Sequence, residues 1–73
     1  MSHTVLAELV ANVMKVSAKP GDIVAVGDTL VILESMKMEI PVIVEIGGTV
    51  TEIAVAEGDV ISEGDTIAVI DTA

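Results

Sequence analysis

The stretch Pro20-Gly21-Asp22-Ile23-Val24-Ala25-Val26-Gly27-Asp28-Thr29-Leu30-Val31-Ile32-Leu33 decides the fold, because the chain repeats it. Its counterpart is Glu57-Gly58-Asp59-Val60-Ile61-Ser62-Glu63-Gly64-Asp65-Thr66-Ile67-Ala68-Val69-Ile70. One constant offset takes Gly21 to Gly58, Gly27 to Gly64 and Thr29 to Thr66, and upstream it takes Val13 to Val50 and Val16 to Ile53. Each copy reads as a strand, a Gly-Asp turn, a short apolar link, a second Gly-Asp turn and a strand. Glycine supplies the positive φ that many tight turns need, and aspartate bonds nearby backbone. The runs between the turns are short, apolar and β-branched, which suits strands.

Working outward, this reading predicts strands over 3–9, 12–18, 29–34, 39–45, 48–55 and 66–71, with short bridging strands near 23–25 and 60–62. An isolated hairpin of such length is marginal in water. Two matching β halves are therefore expected to pack face to face about a pseudo-twofold axis and share one core. The link between them falls near 35–38 and is expected to protrude as a hairpin. The Gly-Asp pairs also raise calcium as a ligand. Their spacing fits neither an EF-hand loop nor a glycine-rich calcium repeat, so turn formation is the preferred reading.

With 73 residues the chain has room for one small domain, expected over 1–73. It has no cysteine, hence no disulfide and no cysteine-based metal site, and no aromatic residue. The formal net charge of −9 and the absence of arginine argue against nucleic-acid binding, which needs a basic surface to displace counterions. No apolar run approaches the length of a membrane span, and Met1-Ser2-His3-Thr4 does not resemble a signal peptide. The expectation is a cytoplasmic protein that is monomeric in isolation.

The segment Glu34-Ser35-Met36-Lys37-Met38-Glu39-Ile40-Pro41 stands apart. Lys37 alone would read as a solvated charge, and Met36 and Met38 alone as core filler. At the tip of a turn, however, two large apolar side chains beside a lysine form a recognition surface. Pro41 has no backbone donor and suits a strand start or an edge.

Glu34-Ser35-Met36-Lys37-Met38-Glu39 resembles the attachment motif of the biotinyl domain family, in which a Met-Lys-Met tripeptide at a hairpin tip carries biotin on the lysine. The resemblance covers nearly the whole chain. It includes the midway position of Lys37, Gly48 before a Thr-Val pair, and the second Gly-Asp segment. Within the family the likeness is to free-standing, single-domain biotinylated proteins of actinobacteria. Ser35 stands where many members have alanine, and neither the protruding thumb loop of some bacterial carriers nor a Pro/Ala-rich linker is apparent.

The resemblance implies an all-β fold, a flattened β-barrel of two four-stranded antiparallel sheets. It implies covalent biotin on Lys37, attached by a biotin protein ligase. A biotin carboxylase would then load a carboxyl group on the ring, and a carboxyltransferase would pass it to an acceptor such as an acyl-CoA. Met36, Met38 and Glu34 would serve recognition. The chain would be a carrier and not an enzyme. The only histidine is His3, and no nucleophile–base–orienter set can be composed. Lys15 and Lys19 read as ordinary surface charges. Two rival readings are a lipoyl carrier, whose members usually have aspartate before the lysine, and an unmodified interaction module of the same fold.

Overall fold

The computed structural model describes residues 1–72; residue 73 of the expected domain span lies outside the described residues. Eight strands follow one another: β1 (Ser2–Leu6), β2 (Ala11–Val16), β3 (Ile23–Val24), β4 (Thr29–Ser35), β5 (Met38–Ile43), β6 (Gly48–Ile53), β7 (Val60–Ile61) and β8 (Thr66–Asp71). They form two antiparallel four-stranded sheets, ordered β1-β8-β6-β3 and β5-β4-β2-β7. The sheets stack as a flattened sandwich and do not join into a closed barrel. This agrees with the expected all-β class of two four-stranded sheets.

The expected segments are all strands, but several end early. The ladder of the first stops at Leu6 and not at residue 9, because the chain turns out to bond the Ser62–Asp65 turn: Ala7 N–H donates to Asp65 O at 2.8 Å, and Gly64 N–H donates to Ala7 O. The second stops at Val16, where Ser17 and Ala18 both donate to Leu30 O. The sixth likewise stops at Ile53 and not at 55.

The pseudo-twofold operation is present, but the two halves do not each form a sheet. Each sheet draws two strands from each half of the chain. The operation exchanges β2 with β6, β3 with β7, β4 with β8 and β5 with β1, turning one strand order into the other. Even the irregularities repeat: register shifts between Val13 and Lys15 and between Thr29 and Val31 recur between Val50 and Glu52 and opposite Thr66–Ala68. Each inserts an extra residue that bends its strand.

The four Gly-Asp turns are built alike. In Lys19–Asp22, Ala25–Asp28, Ala56–Asp59 and Ser62–Asp65, the Asp amide donates to the carbonyl three residues back at 3.0–3.1 Å. The third residue is always glycine, with φ between 91 and 98°, which a type II turn demands. Each Asp carboxylate in turn accepts from the amide of the first residue, at 2.8–3.0 Å. These carboxylates close turns, and among the described residues no group of three or more acidic or histidine side chains could hold a metal ion.

The core is wholly apolar. Leu30, Val31, Leu33, Val44, Val50, Ile67, Ala68 and Ile70 are at most 1% exposed, and among the described residues no polar side chain is buried. Gly48 has a different duty from the turn glycines. A Cβ there would collide with the Asp71 carbonyl oxygen and lie 2.9 Å from Ile70 Cγ2, so β6 and β8 can approach only because it has none.

The register also fixes which features share an end of the molecule, whose extents are 36 × 19 × 17 Å. Glu39, Glu34, Asn12 and Val60 form one lateral row across a sheet. Beyond Val60 come Ile61 and the Ser62–Asp65 turn, which therefore sit at the β4–β5 hairpin end. Ala7 bonds that turn, so β1 finishes there and begins at the far end. At that far end Thr72 N–H donates to Met1 O at 2.7 Å, and the Met1 ammonium lies 3.4 Å from Asp71 Oδ1.

Candidate functional site

The hairpin between β4 and β5 is as tight as a hairpin can be. Ser35 pairs with Met38, leaving Met36 and Lys37 as a two-residue loop. Both adopt left-handed backbone, with φ of 53° and 65°. Positive φ at both central positions is the type I′ requirement, whose twist matches the flanking strands. Asn-Gly is the usual solution; here two side-chain-bearing residues adopt it, at a cost of roughly 1–2 kcal/mol each. Among the described residues they are the only non-glycine ones with positive φ.

This strained turn yields a prediction. Met36→Asn, which tolerates left-handed backbone, should raise Tm by a few degrees, since ~1 kcal/mol corresponds to about 4–8 °C at this size. Calorimetry checks it; an unchanged or lower Tm would show that Met36 contributes contacts that offset its strain.

The turn leaves Lys37 exposed to solvent. Met36 is 91% exposed and Met38 65%, so neither caps the core. Glu34 is exposed and pairs directly with Glu39, also exposed. Like charges opposite one another in a ladder are mildly destabilising, so this neck of two carboxylates is not there for stability. The structure thus brings the expected residues Lys37, Met36, Met38 and Glu34 to one exposed tip, with Glu39 of the same motif directly across from Glu34. Lys15 lies in β2 beside a register shift, and Lys19 opens the first Gly-Asp turn, both away from any methionine pair. His3 belongs to β1, near the far end.

Chemically the tip offers one primary amine, unobstructed and on rigid strands, with apolar side chains beside it. That geometry leaves the amine open to covalent acylation.

Comparisons with known proteins agree with this geometry. The family pattern described as "Biotin-requiring enzyme" matches residues 3–70. The biotinylated protein TB7.3 homolog of Mycolicibacterium smegmatis is 61% identical over 43 residues, which are 59% of this chain and 61% of that protein. The biotin/lipoyl attachment protein of Bacillus subtilis is 48% identical over 40 residues, 55% of each chain. The chain thus spans about three-fifths of the length of the curated relatives it matches. Among solved structures, the urea carboxylase of Kluyveromyces lactis superposes with a TM-score of 0.90 at 34% identity, over 97% of this chain and 6% of that one. With its motif, its sheet order and its family pattern in agreement over nearly the whole length, the chain belongs to the biotin/lipoyl family of biotin-requiring enzymes.

Proposed function

We propose that this chain is a biotin carboxyl carrier, modified on Lys37 and serving a biotin-dependent carboxylase. The observation that carries the reading is Lys37 itself, held in a two-residue turn and flanked by two exposed methionines. The family and the biotinylated relatives support it.

In the attachment step the Lys37 Nζ attacks the carbonyl of biotinyl-adenylate, an amide forms, AMP leaves and the amine loses a proton. In this reading the biotin protein ligase supplies the group that takes up that proton. Met36 and Met38 give the ligase adaptable apolar contacts. Glu34 and Glu39 give it a negative neck to grip. Acylation also changes the charge of the tip: two carboxylates and one ammonium become two carboxylates alone. Partners that act before and after modification therefore meet different surfaces, and a cationic partner favours the modified form.

Bound biotin supplies a ring nitrogen able to carry a carboxyl group between active sites. The chain's own part is to hold that group on a stiff hairpin. Tethering of this kind sustains effective concentrations on the order of millimolar at each partner site. The carboxylase and carboxyltransferase subunits are the partners this implies, and the superposition on urea carboxylase supports that class. Catalysis resides in those partners.

Intact-mass measurement after co-expression with a biotin ligase tests the reading. One added biotinyl group is expected, and an unchanged mass would refute it. The likeness to the biotin/lipoyl attachment protein of B. subtilis favours a second reading, in which Lys37 also accepts lipoate. Anti-lipoate blotting of protein from its natural host separates the two.

A further inference from the structure

Beside the hairpin, the sandwich is open along one seam. The edge strands β1 and β5 face each other there without pairing. Between them runs a groove of about 870 Å³, within the range of small-molecule sites. Its floor is the buried pair Leu33 and Ile67, and its walls include half-buried Val5, Leu9, Ile40 and Val42. Strand alternation sets Met38, Ile40 and Val42 on the same face of β5. They form an apolar row that leads from the Lys37 turn into the groove. At the hairpin end of the groove stand Glu8 and Glu63, exposed carboxylates able to accept hydrogen bonds.

We infer that this groove is a docking site for the chain's own biotinyl group, which folds back from Lys37 along Met38 and Ile40. The inference rests on the carrier reading and extends it. Reach permits it: Ile40 lies three residues from Lys37, ~10 Å along the strand. A lysyl–valeryl arm with single bonds of about 1.5 Å spans roughly 14 Å. Chemistry selects it, because acylation removes the ammonium charge that would otherwise make burial against apolar walls costly. The ureide N–H groups then meet Glu8 or Glu63 at the rim. A tethered ring at millimolar effective concentration needs only weak intrinsic affinity to populate the groove. A second copy of this chain is a poorer occupant, since each carries a net charge of −9 and the rim is acidic.

The test uses the full chain, labelled with ¹⁵N and ¹³C, as unmodified protein and as protein whose intact mass shows complete biotinylation. Expected are methyl shift changes at Leu9, Leu33, Ile40 and Val42, with nuclear Overhauser contacts from the biotin ring to Leu9 and Ile40. Changes confined to residues 35–39, with no such contacts, overturn the inference while leaving the carrier reading intact. Failure of the mass to rise sinks the carrier reading and the inference with it. As a second readout, capture of the biotinylated chain by streptavidin should be roughly threefold to tenfold slower than in Leu9→Gln, since only the undocked fraction is available for capture. Equal rates in the two proteins, with the wild-type contacts absent, argue against docking.

Discussion

Replacing Lys37 by arginine should abolish biotin incorporation while leaving the fold untouched. Lys37 is solvent-exposed in a turn and makes none of the hydrogen bonds that hold β4 to β5, so the change removes no packing. Arginine keeps the charge and the approximate length. Its guanidinium is never deprotonated near neutral pH and cannot serve as the acylated amine. The expected result is complete loss of the added mass and of streptavidin binding, with an unaltered circular dichroism spectrum and Tm within about 1 °C, as for an exposed substitution. Persistent labelling would direct attention to Lys15 or Lys19. Both are exposed, so accessibility alone does not protect them. What they lack is the turn geometry and the methionine pair, and the experiment weighs that geometry directly.

The second large effect is on stability. Ile67 is 0% exposed, sits in β8 between β1 and β6, and floors the groove. Truncation to alanine leaves a void that neighbouring strands cannot close, at a cost of about 2–5 kcal/mol. A chain of this size has only ~4–11 kcal/mol of stability in total. Ile67→Ala should therefore lower Tm by at least roughly 10 °C and leave a substantial unfolded population in mild denaturant. Leu30, its partner under the pseudo-twofold operation and equally buried, should behave alike. Ile23→Ala is the control: the same residue type, but 85% exposed, so a change within about 0.5 kcal/mol is expected. Chemical denaturation of the three variants side by side would show whether burial or residue type governs the loss.

Much of this molecule is legible in the letters alone. The doubled Gly-Asp pattern marks four turns and the strands between them, because each turn needs glycine at a positive φ and an aspartate to accept from its first amide. The hairpin and its lysine are legible for a similar reason: an apolar–charged–apolar triplet at the midpoint has no good place in a core. Less visible is the interleaving of the halves. Alternation tells which residues face inward, yet it does not name the neighbouring strand, and partner choice is settled by burial across the whole sandwich. The equivalence of β1 and β5 is invisible too. Ser2–Leu6 and Met38–Ile43 share almost no residues, because edge strands tolerate varied side chains. The left-handed backbone of Met36 and Lys37 escapes notice because neither is a glycine or asparagine. The opposed Glu34 and Glu39 become apparent only once the register is known.

The bond from Thr72 to Met1 has an architectural corollary. Met1 and Thr72 lie side by side, at the pole away from Lys37. The module can therefore be spliced into a longer protein, or joined head to tail into a ring, without disturbing the tip. In a spliced arrangement the sandwich body acts as a stiff boom: its 36 Å length adds to the sweep of any flexible leash that anchors it, and the prosthetic arm works only from the boom's outer end.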